Sequence, residues 1–230
     1  MWGSEVIMDY GFIAEYAPMY VKAAELTIKI SACGIIGAFA VGIICCLIKE
    51  LKIPVLRCIV QIYIEMSRNT PLLIQLFFLY FGFPKVGVVL SSGSCGIIGL
   101  IFLGGSYMAE AFRTGIDSVP NVQRESAYSL GMTKRQTFLR IIIPQAVATS
   151  VPVFCANVVF LIKETSVFSA VALADLMYVT KDLIGLYYKT DEALFMLVIA
   201  YLIILLPISV ISSLIERRVR YAGFGNTGSV

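Results

Sequence analysis

A chain of 230 residues that is 59% hydrophobic and only 14% charged, with mean hydropathy +0.87, holds more apolar surface than a water-soluble core of that size can bury. A formal net charge of +3, with lysines and arginines scattered between apolar blocks, excludes the basic tract of a nucleic-acid binder. Histidine is absent, which removes the commonest general base and the commonest zinc ligand, and the six cysteines include no C-x-x-C pair, so they read as small apolar residues packed in helices.

The first twenty residues carry Glu5, Asp9 and Glu15 and no basic residue, unlike the basic start of a secretory leader. A membrane span needs about 20 apolar residues to cross a hydrocarbon layer ~30 Å thick. Five blocks meet that requirement, at about 28–48, 58–81, 95–112, 144–162 and 193–215. The expectation is an all-α integral membrane protein of five transmembrane helices, forming a single transmembrane domain over 1–230. With the N-terminus outside, the cytoplasmic segments receive Lys49, Lys52, Arg57, Arg113, Arg124, Lys134, Arg135, Arg140, Arg217, Arg218 and Arg220. The outer segments receive only Lys22, Lys85, Lys181 and Lys189, so the basic residues predict N-out, C-in.

The long segment at about 113–143 is too polar to cross and carries helix punctuation. Pro120 suits the first turn of a helix, with Ser118 or Asn121 available as its cap. Gly131 suits its end. Thr133 with Gln136 gives the capping-box pattern of a second helix. A folded helix–turn–helix is expected, turning at Gly131, Met132 and Thr133. The outer segment 163–192 is expected to hold a short helix at or dipping into the surface, and the residues from Gly223 onward a flexible tail.

Charges also fall inside the second block. Charged residues cost roughly 2.5–3.5 kcal/mol each at a span centre and usually face an interior or a cavity. Glu65 and Arg68 are three residues apart, share a helix face and can pair. Pro71 removes a backbone donor and loosens the helix there. Freed backbone near a cavity is a common way to build a polar site in a membrane.

The polar loop reads Glu125-Ser-Ala-Tyr-Ser-Leu-Gly131, nine residues, then Ile141-Ile-Ile-Pro144. It resembles the "EAA" loop of ABC-importer permeases, E-A-A-x-x-x-G, nine residues, I-x-L-P, with Ser126 for an alanine and Ile143 for leucine. The resemblance implies the type I importer permease fold with a cytoplasmic coupling-helix loop, in which Glu125, Ala127, Leu130, Gly131, Met132 and Thr133 dock on an ATPase subunit. Glu65 to Gly82 resembles the E-x-x-R-G-T-P-L-L-x-Q-L-F-F-x-Y-F-G stretch of the polar amino-acid permease subfamily (the histidine, glutamine and arginine type), with Asn69 in place of glycine. It places Glu65, Arg68, Thr70 and Gln75 on a substrate path; for Glu65 a structural ion pair is the equal alternative. Ser106 to Gly115 resembles the subfamily's A-Y-x-A-E-x-x-R-G-G, with Glu110 and Arg113 as an inner gate or a helix-anchoring pair. Lys163-Glu164-Thr165-Ser166 resembles K-D-T-S, with Glu164 for aspartate. These four residues suit the two charges and the hydrogen bonds of a zwitterion leaving water, or else form an ion pair at the outer edge.

The resemblance implies a dimer of identical or related permeases, two cytoplasmic ATPase subunits that bind ATP and magnesium, and an outer substrate-binding protein. No cofactor and no catalytic residue is expected in this chain. It has no Gly-Lys dipeptide and hence no phosphate-cradling P-loop. The alternatives are a stand-alone secondary transporter or channel, which Glu65 and Arg68 fit equally well, and an intramembrane enzyme, for which a nucleophile constellation is lacking.

Overall fold

The computed structural model describes residues 8–50 and 53–219; Glu5, Lys52, Arg220 and the tail from Gly223 lie outside the described residues. Four helical stretches are long and apolar enough to cross a membrane, at 10–49, 92–117, 134–171 and 190–219. A shorter apolar helix covers Leu72–Val86. The protein is therefore all-helical, with four to five long apolar helices.

Helix α1 runs Tyr10–Glu50 and is about 60 Å long at ~1.5 Å per residue. The expected span 28–48 is only its second half. The first half is helical because Asp9 caps it, its Oδ1 accepting from the Phe12 N–H at 3.0 Å. Phe12, Tyr20, Ala23, Thr27 and Ile30 then recur at helical spacing and are all buried.

The second block is interrupted. Helix α2, Pro54–Arg68, ends at Asn69, and α3 begins at Leu72 and runs to Phe77. Beyond it a π-helical turn, Phe78–Gly82, and a 3-10 turn, Phe83–Val86, complete the stretch. The break follows from Pro71, which cannot donate to the carbonyl one turn back. Side chains bond the carbonyls around the break, of which Glu65 O also keeps its helical bond from the Asn69 N–H. Asn69 Nδ2 donates to Glu65 O (2.8 Å) and Thr70 Oγ1 to Met66 O (2.7 Å). Gln75 Nε2 reaches Ser67 O and Thr70 O, both at 3.1 Å.

Helix α4, Ser92–Asp117, is the centre of the bundle and packs on α1, α2, α3 and α7. Its glycines let the backbones come close. A Cβ at Gly104 would lie 2.7 Å from both Ala38 Cβ and Leu161 Cδ1. On the facing helix, one at Gly34 would lie 2.6 Å from Leu100 Cβ, and one at Gly42 2.6 Å from Met108 Cβ. Tyr63 and Ser67 of α2 both donate to the Phe102 carbonyl, at 2.7 and 2.8 Å.

The polar loop folds as α5, Asn121–Ser129, and α6, Lys134–Thr137. Pro120 is the residue before α5, which has no side-chain cap; Ser118 instead donates to Gly115 O, and Asn121 is already helical. The end of α5 follows the sequence reading. Gly131 has φ +79°, its N–H bonds Tyr128 O (2.9 Å), and Met132 N–H bonds Ala127 O (3.1 Å), which is a Schellman motif. Thr133 and Gln136 form the expected capping box. From α6 the chain passes through a π-helical turn, Phe138–Ile142, straight into α7, Ile143–Glu164.

A 3-10 segment, Thr165–Val171, buries Phe168 and Val171. The short helix expected in 163–192 is α8, Leu176–Tyr187, capped by Asp175, and α9 follows at Thr190–Val219. The starts of α1, α8 and α9 are tied together. Tyr20 donates to Ala193 O (2.8 Å) and meets Thr180 Oγ1 (3.0 Å). Lys189 Nζ bonds Asp9 Oδ2 (3.1 Å), and with the Phe12 amide it holds the Asp9 carboxyl below its ordinary value.

Replacing Gly104 by leucine is expected to overpack the α1–α4–α7 seam at a cost of about 1–3 kcal/mol or more. Thermal unfolding in detergent should show a clear loss relative to Gly185→Ala, where a Cβ meets nothing within 4 Å. Burial pushes the Asp175 carboxyl from 3.8 up to about 6, against the Tyr178 and Met177 amides, which pull it down. The folded protein then holds this proton where the unfolded chain has lost it, so stability falls as pH rises between about 4 and 6. Asp175→Asn keeps a capping oxygen and is expected to flatten that part of the stability–pH curve.

Candidate functional site

The intramembrane charges converge on one carboxylate. Glu110, on α4, is reached by Lys49 of α1 at 3.4 Å, Arg68 of α2 at 3.7 Å and Arg113, one turn along its own helix, at 3.3 Å. Its side chain is 21% exposed, so these contacts are only partly screened by solvent. Arg113 also meets Asp117 at 3.4 Å. The Glu110–Arg113 pairing read from the sequence is therefore present, as part of a larger cluster.

The Glu65–Arg68 pair is not. Arg68 turns to α4, where besides Glu110 it lies over the ring of Tyr107, 5.3 Å from the centroid. Glu65 stays exposed and takes Gln61 Nε2 (2.8 Å) and Asn69 Nδ2 (3.2 Å). Helical spacing made the pair sterically possible, but a carboxylate less exposed than Glu65 and an aromatic face with a negative quadrupole are better company for Arg68. A cation over a ring adds about 0.5–2 kcal/mol, according to desolvation.

Tyr107 links this corner to α7. Its ring meets Phe160 at 5.1 Å, and its backbone carbonyl accepts from Asn157 Nδ2 at 3.3 Å. Arg68, Tyr107 and Asn157 thus bring α2, α4 and α7 together around one polar spot inside an apolar bundle. Asn157 and Lys49 had no place in the sequence reading of the site. The signal for Asn157 was available: it is the one amide in the apolar run from Val151 to Ile162.

Thr70 and Gln75 lie at the break between α2 and α3, bonded to each other (3.0 Å) and to the carbonyls around it. They hold the broken backbone in shape. At the far end of α7, Lys163 is exposed, and Glu164 and Ser166 are half-buried. Thr165 departs from its expected role as a donor to substrate. It is fully buried, and its hydroxyl is used on Ile162 O at 2.8 Å. The segment it opens packs on α3 through Phe168 and Val171, which cluster with Leu72 and Leu76.

The polar loop forms a second site. Glu125 is exposed, Leu130 is 83% exposed at the tip, and Met132 is half-buried beside it. Gly131 and Thr133 shape the turn. Ala127 is a correction: it is buried at 3% exposure and faces inward, because its helix needs one small residue against the body of the loop. Tyr128 and Val122, which the sequence reading passed over, are exposed apolar groups on α5. The base of the loop is wedged. Ile116 and Val119 pack with Ile142 and Ala146. Ser150 donates to Ala111 O (2.9 Å), Ser118 meets Thr149 (3.0 Å), and any Cβ at Gly115 would run into Ser150 Oγ and Ala146 O. Among the described residues no group of three or more histidine, cysteine, aspartate or glutamate side chains is placed to hold a metal ion.

Residues 34–221 match the family described as binding-protein-dependent transport system inner membrane component. The chain is 32% identical over 213 residues to the probable amino-acid permease protein YxeN of Bacillus subtilis, covering 91% of this chain and 95% of that one. It is 33% identical over 195 residues to the L-cystine transport system permease protein TcyB of the same organism, covering 84% and 82%. Its fold superimposes with TM-score 0.88 on the crystal structure of an amino acid ABC transporter with histidines, at 29% identity over 93% of this chain and 100% of that one.

Removing the Glu110 charge strands three cations that share it. Glu110→Gln is expected to lower the unfolding midpoint in detergent clearly more than Glu65→Gln, whose partners are neutral amides.

Proposed function

The chain belongs to the family of binding-protein-dependent transport system inner membrane components, and from that premise we propose that it is the permease subunit of an ABC importer for a polar amino acid. It is a multi-pass inner membrane protein of an ABC transporter complex, working with ATPase subunits and a binding protein. ATP is bound and hydrolysed by the separate ATPase subunit. The observation that carries the reading is the wedged loop, whose exposed Glu125 and Leu130 and half-buried Met132 stand on a base locked into α4 and α7. A push on α5 reaches both helices, because the Gly115–Ser150 approach and the Ile116–Ala146 cluster leave no slack between them.

The N-terminus is outside and the C-terminus inside, so the loop meets the ATPase in the cytoplasm and α8 lies outward near the binding protein. That orientation rests on the basic residues of the inner segments. The permease is a dimer with an identical or related chain. The substrate is an L-amino acid with a polar side chain, glutamine-, histidine- or cystine-like. Named relatives transporting glutamine and cystine support this class, as does a like-folded amino acid transporter crystallised with histidines. The path runs from Lys163, Glu164 and Ser166 to Arg68, Tyr107 and Asn157. Lys163 and Arg68 suit the carboxylate and Glu164 the ammonium. Glu110 holds Arg68 in place, while Glu65, Thr70 and Gln75 keep the broken backbone beside the path in shape.

Gly131→Leu is expected to strain the left-handed turn and uncouple transport. ATP-driven uptake in proteoliposomes should fall at least tenfold while the complex still assembles. Normal uptake at normal abundance would sink the docking assignment. Lys163→Ala and Glu164→Ala are each expected to abolish uptake without loss of assembly, and unchanged affinity and rate in both would remove that corner from the path.

A further inference from the structure

A cavity of about 450 Å³ opens where α1 ends and α2 begins, against the last turn of α4. Its wall carries Lys49, Arg57, Gln61, Arg113, Ile116 and Asp117. Three cations thus face one carboxylate. Glu110 reaches Lys49 and Arg113 from the side of the bundle, and Asp117 takes Arg113 Nε. Arg57 differs from both. Its Nε donates to Lys49 O at 2.7 Å, which fixes the guanidinium at the cavity wall, and neither Glu110 nor Asp117 pairs with it. Beside it α2 starts with Pro54 and has no side-chain cap, so its bare first amides add the positive end of a fifteen-residue helix. The cations still outnumber the two carboxylates beside them, Glu110 and Asp117, and a bound anion would offset the excess.

We propose that this cavity binds a phosphate-bearing anion, held between the Arg57 guanidinium, the Lys49 ammonium and the Gln61 amide. Arginine's planar donors match phosphate oxygens in pairs. The volume falls within the ordinary range of small-ligand pockets, about 300–1,000 Å³. The surroundings favour a phospholipid headgroup as the source. Leu47, Val55, Ile59 and Ile62 are exposed on the two helices that frame the cavity, an apolar surface against which acyl chains can lie. Basic pockets between membrane helices at the bilayer surface are a recurrent headgroup site. The site adjoins the transport path without including its cation: Glu110 takes Lys49 on one oxygen and Arg68 on the other.

The test uses the complete transporter in nanodiscs of phosphatidylcholine, with or without phosphatidylglycerol. Native mass spectrometry counts retained lipid, and thermal unfolding reads protection. Phosphatidylglycerol is expected to be retained and to raise the unfolding midpoint, more strongly at low salt. Arg57→Gln should weaken its apparent affinity about fivefold. Gln61→Glu, which places an acid in the cavity without removing a cation, should do the same. Inorganic phosphate titrated into pure phosphatidylcholine discs separates the sources. Protection by phosphate that Arg57→Gln abolishes supports the site with a soluble ligand, and protection by phosphatidylglycerol alone supports it with a lipid. No protection by either anion, or protection that both variants retain in full, overturns the proposal. Uptake and ATPase coupling take no part in these readouts, so the outcome stands apart from the transport assignment.

Discussion

The structure depends on how closely α4 can approach its neighbours. Gly104 leaves no room for a methyl group beside Ala38 and Leu161, and Gly115 none beside Ser150. In lipid, helices gain nothing by hiding apolar surface from one another, because the tails are equally apolar. What remains is dispersion between surfaces in contact and hydrogen bonds between helices, and both need backbones at short range. Glycine supplies that range on α4, and Gly34 and Gly42 supply it from α1. Ser150, Tyr63 and Ser67 can then reach carbonyls on α4 that a bulkier seam would put out of range.

The polar site is a consequence of that closeness. A charged side chain in a span needs a partner, and the α2–α4 seam supplies Arg68 with both Glu110 and the face of Tyr107. The break at Asn69–Pro71 is stable for a related reason, since Gln75 and Thr70 supply side-chain donors to the Ser67 and Met66 carbonyls beside it. Polar spot and loop are joined through α4 and α7, with Cys46 of α1 packed against the base of the loop. The same two helices carry Tyr107 and Asn157 near their middles and the Ile116–Ala146 wedge at their ends. A movement of the loop therefore has a mechanical route to the polar spot that does not pass through α9, whose apolar side chains are mostly exposed.

Local chemistry was legible in the sequence. Gly131 and the Thr133–Gln136 box can be read from neighbours in the chain, and the structure shows both. The apolar blocks gave the order of the apolar helices for the same reason, but not their form: the second block is broken at Asn69–Pro71, and four stretches are long enough to cross. Pairings across the fold were not legible. Glu65 stood three residues from Arg68, whereas Glu110 is 42 residues away in the chain, and only the α2–α4 packing makes it nearer in space. Thr165 and Ala127 were assigned to outward roles by their place in a motif; which face each presents is set by the elements packed on them. The early start of α1 could have been seen, since Phe12, Tyr20, Ala23 and Thr27 keep helical spacing among scattered charges.

The interrupted second crossing bears on how the chain enters the bilayer as it is made. Helix α2 has fifteen residues, about 22 Å of helix, which falls short of a hydrocarbon layer of ~30 Å. The groups that satisfy it, the Phe102 carbonyl, Tyr107 and Glu110, are synthesised some forty residues later. Until α4 emerges, Arg68 has only water or headgroups to turn to. Helices α2 and α4 are therefore coupled as they are made: the first is short for a span, and the partners of its Arg68 arrive with the second.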